Sequence, residues 1–133
     1  MIAYLDEPGG NVKYAGREAL RNDAWGHNEA FDHQGVTCRI TFNPFTGAYC
    51  GYIEDALDGE IYEVAVHGDW TAGQGFDCAH FGSLDLSLRN DMFLTHTACG
   101  RTFKPAAFVR AELKRVLDAY EQVKEMCSDN DDE

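Results

Sequence analysis

Basic residues, prolines and long apolar runs are all scarce in this chain, and each shortage excludes something. Eleven Lys and Arg stand against 23 Asp and Glu, a formal net charge of -12. That balance argues against a nucleic-acid binder working by counterion release, so no direct nucleic-acid binding is expected. No stretch approaches the roughly 18 apolar residues of a membrane span, and no membrane association is expected. Residues 1–16, MIAYLDEPGGNVKYAG, hold neither a basic n-region nor an apolar h-region, so no signal peptide is expected. Five cysteines, an odd number, suit reduced thiols better than a secreted disulfide framework. The expected location is the cytoplasm.

What is present is a globular composition, 44% hydrophobic and 12% aromatic, with a length that suits one domain. Residues 1–35 read as an irregular N-terminal arm, extended to the turn signal Pro8-Gly9-Gly10, with a short helix over Glu18–Trp25 and loop beyond it. His27 and His33 read there as surface residues. From Val36, apolar Val36, Cys38, Ile40 and Phe42 alternate with polar neighbours, the period of a half-buried strand. Asn43-Pro44-Phe45-Thr46-Gly47 is turn chemistry, and Tyr49–Glu54 returns as the second arm of a hairpin. Tyr62, Val64 and Val66 suggest a third strand and Phe76–Phe81 a fourth, with short additions over Leu84–Leu88 and Met92–Thr97. Pro105 then opens an amphipathic helix whose stripe is Val109, Leu113, Val116, Tyr120, Val123 and Cys127. The expected fold is α+β: an antiparallel meander of four to six short strands, residues 36–104, backed by one long helix, residues 105–127. Residues 128–133, SDNDDE, read as a solvated acidic tail.

Chemistry concentrates in Val64–Asp85, VAVHGDWTAGQGFDCAHFGSLD. Strand alternation would place Glu63, His67 and Asp77 on one sheet face and His80 on the other, near a strand end. Cys78-Ala-His80 with His96-Thr-Ala-Cys99 offers a zinc set of two thiolates and two imidazoles, although the spacing matches no standard finger or ribbon. Cys78 with a His base could act as a nucleophile, but adjacent strand residues face opposite ways, which separates Asp77 from Cys78. The simplest role for these histidines is structural, held by a carboxylate or a backbone partner. Gly73-Gln74-Gly75 is no dinucleotide fingerprint, because no helix follows it. Trp70 suits either a lid on the core or a platform for a planar ligand or partner. Arg89, Arg101 and Lys104 are the cations that could hold an anionic ligand beside this loop.

Asn43-Pro44-Phe45-Thr46-Gly47-Ala48-Tyr49-Cys50-Gly51-Tyr52-Ile53, then His67-Gly68, Thr71, Gly73 and Gly75-Phe76-Asp77-Cys78-Ala79-His80, resemble a small family of uncharacterised proteins of bacteriophages and bacterial mobile regions. Its members share a tGyWCGYV…HGGLTyaG…GFDCAHAGD pattern and a C-terminal helix, to which Val109-Arg110-Ala111-Glu112 is similar. The chain departs at Asp55–Gly59, where the family has a GHP-type insertion, and at Asp69-Trp70, where Gly-Leu is usual. Ser83 stands where an Asp would follow Gly82, so no catalytic use of that Asp is carried over. The resemblance implies a small phage-type accessory protein, of the kind that counters a host defence, and supplies no mechanism.

The expectation is a binding protein that captures or blocks a host molecule. Its target is either a small nucleotide-like ligand, at His67, Trp70, Asp77, His80, Arg89 and Arg101, or a basic protein surface. No cofactor is expected, zinc being the lesser alternative, and self-association is left open. The competing class is a metal- or Cys-dependent hydrolase using His67, Asp77, Cys78 and His80.

Overall fold

The computed structural model describes residues 3–8, 12–71, 73–79, 84–86 and 96–131, and the side chains of these except 3, 12–15 and 127–131. His80, Arg89, Phe81, the Leu88 end of one expected strand and most of Met92–Thr97 lie outside the described residues, as does the Cys127 side chain. The architecture is α+β. Strands β3 (Asn28–His33), β4 (Val36–Asn43), β5 (Ala48–Ile53) and β6 (Gly75–Asp77) form a four-stranded antiparallel meander in that order. A separate hairpin, β1 (Ala3–Asp6) with β2 (Val12–Ala15), precedes a short helix, α1 (Arg17–Ala24). The long helix α2 runs over Ala106–Asp131.

The β4–β5 hairpin forms as its alternation predicts. Cys38, Ile40 and Phe42 pair with Ile53, Gly51 and Tyr49, and all six residues lie on the face turned to α2. At the turn, Asn43 accepts the Phe45 N–H on its side chain and the Gly47 N–H on its carbonyl. Gly47 takes the positive φ, 72°, that closes it. α2 lays Val109, Leu113, Val116, Leu117 and Tyr120 on the sheet, all buried. Helix and sheet meet tightly at Gly51: a Cβ there would lie 2.8 Å from both Phe76 Cε1 and Val109 Cγ1. Glycine lets helix, β5 and β6 meet.

Three expectations change. Tyr62–Val66 is not a strand; residues Gly59–Glu63 form a 3-10 turn, and β5 pairs directly with β6. Ile61 and Val64, three apart, are the buried pair, while Tyr62 is half exposed, so the period is three and not two. The extra strand comes instead from Asn28–His33, inside the stretch read as an irregular arm. It joins β4 through a two-residue turn in which Gln34 and Gly35 both have positive φ. Thirdly, α2 continues to Asp131, into the segment read as an acidic tail. Among the described residues no helix is long and apolar enough to cross a membrane.

The hairpin β1–β2 reaches the rest of the fold through Phe103, which bridges Leu5 in parallel and exchanges backbone hydrogen bonds with Tyr4 and Asp6. Leu84 N–H donates to Thr102, and Leu86 N–H to Gly47. Arg17 and Arg21 of α1 both donate to the Leu86 carbonyl, at 2.8 and 3.2 Å. These contacts fasten α1 and residues 84–86 to the same end of the sheet.

Candidate functional site

The connection between β5 and β6 carries most of the chemistry, and α2 fixes its shape. Ile61 and Val64 enter the core, while the Tyr120 hydroxyl accepts the Asp58 N–H at 3.3 Å. Glu112 accepts the His67 N–H at 2.7 Å. Arg115 holds Glu112 by two hydrogen bonds of 2.8 Å and donates a third to the Ala65 carbonyl at 2.7 Å. Burial pushes the Glu112 carboxyl up, but the hydrogen bonds from Arg115 and His67, with their charges, outweigh it and leave it below its ordinary value. Gln74 is equally occupied: its amide donates to Ile53 and Asp55 carbonyls and accepts the Leu57 N–H.

His67 and Trp70 are both used by this clamp. The His67 ring meets Phe108 edge-on, with centroids 4.9 Å apart. Trp70 donates its indole N–H to the Val64 carbonyl at 3.1 Å and packs edge-on with Tyr62 at 5.9 Å. Trp70 therefore covers the core, and Tyr62 is the aromatic that faces outward. Glu63 is exposed on the 3-10 turn and Asp77 lies in β6, so Glu63, His67 and Asp77 do not share a sheet face. The Asp77 carboxylate accepts the Ala79 N–H at 3.0 Å, closing its own turn.

Cys78 is 2% exposed. Burial pushes its thiol far up; the nearby Lys104 charge opposes this, and Cys50, Asp77 and Glu112 reinforce it. A thiol held protonated is a poor nucleophile and a poor metal ligand. Lys104 itself is buried at the N-terminal end of α2, bonded to Thr102, 3.4 Å from Asp6 and over the Phe108 ring. Of the expected cations among the described residues, Lys104 is thus the one placed beside Cys78. Arg101 instead donates to the His96 ring at 2.9 Å. Cys99 is exposed, and among the described residues no three His, Cys, Asp or Glu groups are arranged to hold a metal ion.

The feature that residue-by-residue reading missed is how charge is distributed. Every described Lys and Arg side chain contacts a partner within the chain. Arg39 binds Glu54 and Asn28, and Arg110 binds Glu29. Lys114 and Lys124 lie over the Phe31 and Tyr120 rings. Residues 54–69 contain six acids, Glu54, Asp55, Asp58, Glu60, Glu63 and Asp69, and no Lys or Arg. The signal was visible as composition, EDALDGEIYEVAVHGD, but its rigidity depends on Glu112, Arg115 and Tyr120 far along the chain. No protein-family model, curated protein or solved structure matches the chain.

Proposed function

We propose that this is a small acidic binding protein that blocks a basic surface of another protein, using the β5–β6 connection as its contact face. The observation that carries the reading is the run Asp58, Glu60 and Glu63, three carboxylates with no described cation beside them, at a turn that α2 holds in place. Tyr62 stands among them, half exposed and backed by Trp70. An aromatic anchor inside a charged rim is the usual make-up of a binding hot spot. A preformed face loses little entropy on association. The surrounding negative charge would speed encounter with a positive partner. Capture of a small planar ligand by Trp70 is less well supported, because its indole N–H and ring already have partners. Blocking a host protein in this way fits a phage-type accessory role.

The test is retention of basic proteins from a bacterial lysate on the immobilised chain, eluted by a salt gradient. The triple variant Asp58→Lys, Glu60→Lys, Glu63→Lys and the single variant Tyr62→Ala run in parallel. The reading expects a retained basic protein that elutes at moderate salt and is lost from both variants. Equal retention by the triple variant, or elution indifferent to salt, would overturn it. Native mass spectrometry on gently purified protein gives the opposing result its chance: a bound mass of a few hundred daltons would move the function to ligand capture.

A further inference from the structure

One edge of the sheet is open. The Phe42 N–H donates to the His27 carbonyl at 3.2 Å, and the register pairs Asn28 with Thr41 through His33 with Val36. Antiparallel ladders alternate strictly, so the backbones of residues 29, 31 and 33 face β4. The N–H and C=O groups of Asn28, Ala30 and Asp32 therefore point away from the sheet. The hydrogen bond from Glu54 N–H to the Thr37 carbonyl, on the other side of β4, obeys the same parity. All three residues are exposed, and no described group bonds their outward backbone. The opposite edge differs: β6 is three residues long, and the Thr71 N–H already donates to the Gly75 carbonyl.

We infer that β3 is a strand-addition edge, which takes an extended segment of another protein carrying Lys or Arg. Of the devices that guard natural edges, β3 has no lysine, proline or bulge along its six residues; its carboxylates, Glu29 and Asp32, oppose an acidic strand and not a basic one. α2 holds the inner side of β3 through Arg110 to Glu29, Lys114 over Phe31 and His33 to Asp118. The small, exposed Ala30 at its centre leaves the outer face uncrowded for the side chains of an added strand.

Charge selects the occupant. At the turn end of β3, Thr37 donates its hydroxyl to Asp32 and its N–H to Asp55. Two carboxylates thus meet at one residue with no described cation between them, since Arg39 is held by Glu54 and Asn28. A Lys or Arg on the added strand opposite Asp32 would supply that cation. A second copy of the chain would instead bring two bodies of net charge -12 together. The inference extends the basic-partner reading to a second contact, and the two can fail separately.

The experiment uses a short synthetic peptide alternating lysine and valine, with a glutamate–valine peptide as control. The readout is amide hydrogen exchange of the full chain together with the binding curve. The lysine peptide should slow exchange at Asn28, Ala30 and Asp32, and the glutamate peptide should not. Ala30→Pro deletes an outward donor and leaves every β3–β4 hydrogen bond in place, so it should weaken binding by about tenfold or more. Should Ala30→Pro fail to fold, Ala30→Lys keeps the N–H and should reject the lysine peptide alone. Asp58→Lys with Glu63→Lys should leave protection of β3 intact, which separates this edge from the turn. The inference is overturned if saturating peptide leaves those amides unprotected, or if Ala30→Pro or Ala30→Lys binds as well as the parent. It is also overturned if the same amides become protected with rising protein concentration alone, which would make a second copy the occupant.

Discussion

α2 holds the two sides of the sheet by different means. Toward β5 and β6 the contact is one of shape: Val109 and Phe76 close on Gly51 with no room for a Cβ. Toward β3 it is one of charge and ring faces: Glu29 with Arg110 and His27, Phe31 under Lys114, His33 with Asp118. Tight apolar packing tolerates no added volume. Half-exposed ion pairs tolerate geometry but answer to salt and pH. The first side should be stiff and the second yielding, and the yielding side carries the open edge.

The largest effect should come from adding volume to the stiff side. Gly51→Ala forces Phe76 or Val109 to shift and should cost about 1–3 kcal/mol, or roughly 5–10 °C in Tm. Thermal and denaturant unfolding measure it; a change within about 0.5 kcal/mol would mean that helix and sheet part readily, and the contrast would collapse.

Glu29→Gln tests the yielding side, with an expected loss of about 0.5–1 kcal/mol that shrinks in high salt. Its pH dependence has a definite sign. Burial raises the Glu29 carboxyl, but hydrogen bonds from His27 and Arg110, with both charges, overcome this and hold it below the ordinary 4.5. A carboxyl lowered in the folded state stabilises it above the unfolded value. That contribution fades as pH falls through the folded value. Parent and variant should therefore differ at neutral pH and converge in acid. A constant gap between their urea midpoints down to acid pH would show that Glu29 acts through packing.

The same contrast explains what could be read from sequence. The β4–β5 hairpin and α2 were legible because their inward residues are apolar, so the periods of two and of 3.6 stand out. β3 was not, because two of its three inward residues are Glu29 and His33. What makes their burial tolerable lies 81 and 85 residues away, at Arg110 and Asp118. The 3-10 turn deceived in the opposite sense: Tyr62, Val64 and Val66 alternate, yet Ile61 with Val64 is the pair that packs. Within the site, Trp70 as a core lid and the proximity of Lys104 to the Cys78 loop could be anticipated. The Glu112–Arg115 clamp on Ala65 and His67 could not, since an (i, i+3) acid–base pair on a helix ordinarily faces solvent.

Glu112→Gln should have a smaller effect, about 0.5 kcal/mol globally, because the amide can still accept the His67 N–H. The local change should be clearer. Hydrogen exchange at His67 should accelerate while that at Cys78 stays as in the parent. If both rise together, the connection and β6 open as one unit, and the 3-10 turn is not independently clamped.

The subtlest consequence concerns which side opens first in the native protein. Cys38 lies in β4 opposite Phe31, and Cys78 follows β6; both thiols are buried, while Cys99 is exposed. Burial raises Cys38 to about 11 and raises Cys78 as well, so neither of these two thiols reacts without an opening. Under native conditions a thiol reagent should label Cys99 at once, then Cys38 faster than Cys78 by about threefold. Glu29→Gln should hasten Cys38 alone. Equal rates for Cys38 and Cys78, following global unfolding in both proteins, would show a single cooperative body whose two sides differ in chemistry but not in stability.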